Sequence, residues 1–270
     1  LASSAFASVL PSDRIIDWSQ AGVTGGVPSY DVWTNMVGLD SSGAADCSAA
    51  IQAALDSCPP FKAVKLPAGT FKITNMVTLT HTNVLRGLGT NSTTLLIAGV
   101  YAGSWAGVRI GSSQSGDTTW DVMPATAVKG STSIYCSSVA GLAASNVVCI
   151  EQKNDNSFVF NFSDEGGSLG QDWYYGTNYN LAQMVEVRSV SGTNITFWPP
   201  LNWNYTNSSL LPKVHRKSNG AYVWGCGLED LTVGQTGANG EKNIDFFFAK
   251  YSWVSRVMST NCYKYHVQLQ

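Results

Sequence analysis

Residues 46–97 read DCSAAIQAALDSCPPFKAVKLPAGTFKITNMVTLTHTNVLRGLGTNSTTLLI, and a change of period inside that stretch decides the fold. Its opening is amphipathic: Cys47, Ile51, Ala54, Leu55 and Cys58 fall at i, i+4, i+7, i+8 and i+11, one face of a helix. Asp46 stands where an N-cap would, and Pro59-Pro60 forbids continuation. The apolar residues then form short β-rich runs at 63–66, 70–73, 76–79, 84–85 and 94–97, punctuated by Pro67, Gly69, Asn75, Asn83, Gly87 and Gly89. Strands this short and this evenly spaced cannot each bury a face alone. They suit a solenoid in which every rung stacks on the next and the helix plugs the first one.

The same signal returns after Gly220. Leu228 and Leu231 match Val254 and Val257 at an offset of 26 residues, and Ile244 matches Val267 at 23. Offsets in the twenties are what one coil of a three-sided β-helix occupies. Alternation points Ile244, Phe246, Phe248, Val267 and Leu269 inward, and Asp245, Phe247, His266, Gln268 and Gln270 outward. The strand pattern is still running at Gln270, so either further coils or another chain is expected to cover that end.

Between these stretches the pattern breaks. Residues 111–119 (GSSQSGDTT) have linker composition, and alternating runs around 132–136, 147–152, 184–190 and 194–197, with a turn at Ser191-Gly192, indicate antiparallel hairpins. The expected organisation is therefore all-β. Residues 1–110 carry an extended lead-in, the cap helix and the first coils; 111–218 form an inserted small antiparallel barrel or sandwich; 219–270 resume the coils. In the lead-in, Ile15, Ile16 and Trp18 are expected to pack across the capped end.

Three strings in this pattern resemble the amino-terminal opening of the pectate lyase-like superfamily: Asp46-x-Ser48-x-Ala50-Ile51-Gln52-x-Ala54-Leu55, Val64-x-Leu66-Pro67-x-Gly69-Thr70-Phe71 and Val84-Leu85-Arg86-Gly87-x-Gly89. The likeness extends to residues 14–23 upstream and 227–233 downstream, and it implies a right-handed parallel β-helix. That superfamily holds lyases, glycoside hydrolases, epimerases, phage tailspikes and inert scaffolds, so it fixes fold more than chemistry. The catalytic strings of its polygalacturonases and pectate lyases do not occur here, and no catalytic residue is carried over.

Composition narrows the partners. Charged residues are 13% of the chain and the net charge is −2, which argues against a nucleic-acid or anionic-membrane partner; no apolar run is long enough to span a bilayer. The chain opens at Leu1 with small residues, so a removed secretory signal and an extracellular location are expected. Among six cysteines, Cys47 and Cys58 are about 16 Å apart along a helix, too far to bridge. Cys136 and Cys149 flank a turn and could pair, while Cys226 and Cys262 are either buried thiols or an inter-rung link. Sequons at Asn91, Asn161, Asn194, Asn204 and Asn207 offer glycosylation if the source modifies its secreted proteins.

The strongest local signal is the aromatic loop 171–180, with Trp173, Tyr174, Tyr175 and Tyr179; Trp203 follows in another loop. Sugar rings stack on such faces, and Asn and Asp supply hydroxyl partners, although the same aromatics would serve equally as the insertion's own core. The catalytic candidates are Glu229 and Asp230 on one rung, with outward Asp245 and His266 and, less directly, Asp164-Glu165; hydrolysis needs two carboxyls about 5–9.5 Å apart. Lys213-Val-His-Arg-Lys is the one basic cluster, fit to hold a uronate or to act as a hinge. No cofactor is expected beyond Ca²⁺ at Asp155, where no EF-hand-type loop exists, and three scattered histidines argue against zinc. The expected function is a secreted carbohydrate-active protein that binds an extracellular polysaccharide along an outer sheet and cleaves it as a lyase or hydrolase if those groups converge. The rival expectation is a non-catalytic filament subunit, surface scaffold or adhesin that self-associates end to end.

Overall fold

The computed structural model describes residues 22–23, 25–98, 106–112, 117–153, 181–217, 222–237 and 241–269. Internal contacts divide the chain into two units, one of residues 16–113 with 222–270, the other of residues 1–15 with 114–221.

In the larger unit the first strands are β1 (Asp31–Asn35), β2 (Ser42–Asp46), β3 (Lys62–Lys65), β4 (Gly69–Ile73), β5 (Val77–Leu79), β6 (Val84–Arg86), β7 (Thr93–Ile97) and β8 (Ala106–Gly111), with helix α1 (Ser48–Ser57) between β2 and β3. Every pairing among them is parallel: β1 on β3 on β6, β2 on β4 on β7, and β5 on β8. From β3 onward each circuit thus adds one strand to each of three stacks. The lead-in is itself part of the coil from Asp31 onward, whereas Ile15, Ile16 and Trp18 lie outside the described residues.

Helix α1 buries Ile51 and Leu55 in the coil's core beside Cys47 and Cys58. Cys47, not Asp46, occupies the cap position, and it makes no side-chain cap bond. Asp46 acts one residue earlier and joins two levels of the coil: its Oδ1 accepts from Ser48 N (3.1 Å), Ser48 Oγ (2.6 Å) and Thr74 N (3.0 Å).

The smaller unit holds β9 (Asp117–Asp121), β10 (Ser133–Tyr135), β11 (Val147–Gln152), β12 (Leu181–Ser191), β13 (Asn194–Trp198) and β14 (Lys213–Lys217), all antiparallel, in the order β10-β13-β12-β11-β14-β9. Its two outer strands meet. Val122 bridges Cys136, Met123 N donates to Tyr135 O and Ser137 N to Asp121 O (each 2.8 Å). That closure makes a barrel rather than a sandwich, filled by Trp120, Ile134, Ile150, Val185, Val187, Phe197 and Tyr205 among others. Cys136 lies in this core, while Cys149 alternates with the core residues Val148 and Ile150 and turns toward Glu151; the two, which the sequence left free to pair, do not, and all six cysteines are free thiols. Burial pushes the thiols of Cys136 and Cys226 up to about 11, far from the reactive range.

The chain re-enters the coil with β15 (Val223–Trp224), β16 (Gly227–Gln235), β17 (Lys242–Phe247), β18 (Ala249–Lys250), β19 (Trp253–Thr260) and β20 (Tyr265–Leu269). Strands β16 and β19 turn a corner at Asp230 (φ 55°) and Arg256 (φ 53°); the first half of β16 stacks on β6 and its second half on β7. The core is built as columns: Val64, Leu85, Leu228, Val254 in one, Phe71, Leu95, Val233 in a second, Val77, Val108, Ile244, Val267 in a third. Both sequence offsets, 26 and 23, are thus direct stacking neighbours. One inward expectation fails: Phe248 lies beyond β17 at φ 51°, so alternation lapses and its ring meets Tyr222 and Phe247 instead. At the last rung Val267 is 46% and Leu269 76% exposed.

Acid sensitivity follows from Asp40. Its carboxylate accepts from Ala45 N foremost, then from Ser42 Oγ, Ser42 N and Ala44 N, and these bonds hold its pKa at about 2. A carboxyl lowered on folding stabilises the fold above its unfolded pKa and loses that contribution as pH falls through the folded value. Asp46 adds to this: burial works against its ionised form, but the bonds from Ser48 and Thr74 outweigh it and lower its pKa. Unfolding free energy is therefore expected to drop between about pH 4 and about pH 2, with a shallower drop in Asp40→Asn; equal slopes in urea titrations across that window would refute the assignment.

Candidate carbohydrate-binding face

The outer side of β3, β6, β16 and β19 carries two rows of side chains. Val64, Leu85, Leu228 and Val254 point into the core, so their neighbours on either side point out. The first outward row is Ala63, Val84, Gly227, Trp253 and the second is Lys65, Arg86, Glu229, Ser255.

The first row is roofed by aromatics. Tyr30, Ala63, Val84 and Trp253 form a buried cluster separate from the interior core. Gly227 makes this possible: a Cβ there would sit 2.4 Å from the Trp253 indole, so only glycine lets the ring lie against the strand. Tyr30 packs edge-on against Trp253 (5.6 Å between centroids) and Phe61 (5.8 Å), and Phe61 against Trp224 (5.6 Å). The inner rings are buried, but Phe61 is 51% and Trp224 46% exposed. Phe61 is held at φ 62°, a conformation a bulky residue adopts only when its surroundings impose it. The result is an exposed aromatic shelf on a rigid backing.

Charge lies beside the shelf. Glu229 Oε1 accepts from Trp253 Nε1 (2.8 Å) and Oε2 from Arg86 Nε (2.7 Å), while Arg86 Nη1 donates to Tyr30 O (3.0 Å). Only 4% of the Glu229 side chain is exposed, so this catalytic candidate is a buried member of an ion pair. At the corner, Arg256 grips Asp230 with Nε on Oδ1 (2.5 Å) and Nη2 on Oδ2 (2.8 Å), and that grip lowers the Asp230 pKa.

The other sequence candidates fall elsewhere. Asp245 points outward as expected yet is fully buried, its Oδ2 bound by Arg109 Nε (2.9 Å) on the sheet of β8 and β17. Lys242 Nζ stands 3.7 Å from its Oδ1. His266 is exposed, with Nδ1 2.9 Å from Ser259 Oγ. The structure therefore brings Glu229 and Asp230 together, but each is engaged by its own cation. Lys213 and His215 sit on β14, not on a hinge, with Glu151 already between them (3.2 and 3.6 Å). Trp203 is half-exposed in the barrel unit. Trp173, Tyr174, Tyr175, Tyr179, Asp155, Asp164, Glu165 and Asn161 lie outside the described residues. Asn91, Asn204 and Asn207 are exposed, whereas Asn194 Oδ1 is buried on β13. Among the described residues no group of three or more His, Cys, Asp or Glu could hold a metal ion. Sequence reading missed Tyr30, Phe61, Arg86, Trp224 and Trp253; the signal available was Trp253 recurring 26 residues after Gly227, a large ring opposite a missing side chain.

No family model matches the chain, and no curated protein does. Solved structures do. The tailspike gp61 of Pseudomonas phage phi297 superposes with a TM-score of 0.53 at 17% identity, over 78% of this chain and 31% of that one. The tailspike gp49 of Pseudomonas phage LKA1 gives 0.45 at 20% identity, over 74% and 33%. The gp54 tailspike of Acinetobacter baumannii bacteriophage AP22, solved in complex with A. baumannii capsular saccharide, gives 0.43 at 13%, over 84% and 34%. The chain spans about a third of the length of each of these tailspikes. With the pairing observed here, the likeness to the phi297 protein identifies the fold as a tailspike-like right-handed parallel β-helix with an antiparallel insertion.

Proposed function

We propose that this chain is the glycan-binding part of an extracellular, tailspike-like protein, and that it takes a polysaccharide along the outer face of β3, β6, β16 and β19. The single observation that carries the reading is the exposed Phe61–Trp224 pair, backed by buried Tyr30 and Trp253 on a parallel sheet. Pyranose rings offer flat apolar C–H faces to such rings and leave their hydroxyls to polar neighbours. A fold shared with a phage tailspike supports the class of protein. The reading is one of binding, since Glu229 and Asp230 are held in ion pairs.

Retention on a panel of immobilised bacterial and plant polysaccharides tests it. Phe61→Ala and Trp224→Ala should each weaken binding of the retained polysaccharide about tenfold, the loss of one stacking surface. Failure of every polysaccharide to bind, or variants that bind like the parent, would remove the proposal. Scoring the same incubations for new reducing ends and unsaturated uronate shows whether binding leads to cleavage.

A further inference from the structure

We infer that the saccharide taken on this face is anionic, with a carboxylate that meets Lys65; the inference rests on the glycan-binding reading above. The second outward row runs Asn35, Lys65, Arg86, Glu229, Ser255, five residues in register on adjacent strands about 4.8 Å apart. Its cations are not equivalent. Arg86 is occupied by Glu229 and the Tyr30 carbonyl, and Arg256 at the corner is occupied by Asp230. Lys65 makes no close ion pair or side-chain hydrogen bond among the described residues; its neighbours in the row are a neutral amide and another cation, and the one carboxylate that feels its charge, Asp230, is already gripped by Arg256. Counting Lys65, Arg86 and Arg256 against Glu229 and Asp230 leaves three positive and two negative charges, an excess of one, on a chain whose net charge is −2.

Position makes that excess useful. Lys65 ends β3 and Phe61 immediately precedes that strand, so the two lie at most about 13 Å apart at 3.3 Å per residue, a distance that a short saccharide covers. A sugar stacked on Phe61 and Trp224 thus places a neighbouring residue of the same glycan over Lys65. An ammonium on a flexible stem suits a carboxylate whose position varies with ring pucker and linkage. The fixed guanidinium of Arg256, 64% exposed, presents further donors at the corner.

The experiment is calorimetry of the purified 270-residue chain with polygalacturonate, alginate and hyaluronate, each beside its carboxyl-reduced counterpart. The parent, Lys65→Met, Lys65→Glu and Phe61→Ala are compared, with urea titration confirming that the Lys65 variants fold. At least one acidic polymer should bind about tenfold more tightly than its reduced form at low salt, and the preference should shrink as ionic strength rises toward about 0.5 M. Lys65→Met should abolish the preference and Lys65→Glu should reverse it, while Phe61→Ala weakens acidic and reduced polymers alike. Equal binding of acidic and reduced polymers by the parent, or an unchanged preference in Lys65→Met, overturns the anionic inference and leaves glycan binding standing. If none of the six polymers binds, the anionic inference falls; glycan binding then stands or falls on the wider panel.

Discussion

Arg86→Met should destabilise the coil by about 3–5 kcal/mol, because it leaves a buried carboxylate without its cation. Glu229 is 4% exposed at its side chain and Arg86 17%, so water cannot replace the guanidinium. What remains to Glu229 is the Trp253 indole N–H and the Arg256 guanidinium at 4.0 Å, which is already committed to Asp230. The substitution also removes the bond to the Tyr30 carbonyl, and with it a tether of the aromatic roof. The double variant Arg86→Met with Glu229→Met should regain most of the loss, since a matched apolar pair removes the unpaired charge. Lys62→Met is the control: its pair with Asp31 is 41% and 86% exposed, and such pairs contribute about 0–1 kcal/mol. Urea unfolding of the four proteins measures all of this. An Arg86→Met loss no larger than that of Lys62→Met would show that Glu229 is solvated after all.

That ion pair also marks where sequence reading reaches its limit. The inward columns were legible because burial forces a rule on them: a residue facing the core must be apolar, and the next circuit must place another above it. Val254 over Leu228 and Val267 over Ile244 follow from alternation and offsets of 26 and 23 residues alone. The outer faces obey no such rule. Glu229 and Asp245 do point outward, as alternation requires, yet both are buried. Their partners Arg86 and Arg109 lie 143 and 136 residues upstream, on the far side of the inserted barrel, where no local pattern joins them. The aromatic shelf was hidden for the same reason: Phe61 and Trp224 become neighbours only once the chain returns to the coil. Barrel and sandwich could not be separated in the sequence because the difference lies in one edge closure, Val122 against Cys136.

Phe71→Ala tests the column architecture most severely, with an expected loss of about 3–5 kcal/mol. Phe71 is completely buried and stacks on Leu95, which in turn carries Val233. In most globular cores a neighbouring element can shift into part of the vacated space. Here each strand is hydrogen-bonded in register to the coils above and below, so a void at β4 cannot close without breaking pairing with β2 or β7. The damage should accordingly follow the stack. Amide hydrogen exchange is expected to rise along β4, β7 and the second half of β16, while β11, β12 and β14 of the barrel keep their protection. Leu88→Ala, at a side chain 49% exposed, should cost no more than about 0.5 kcal/mol. A Phe71→Ala loss below about 1 kcal/mol, or exchange that rises equally in the barrel, would mean that the columns do not bear the stability of the coil.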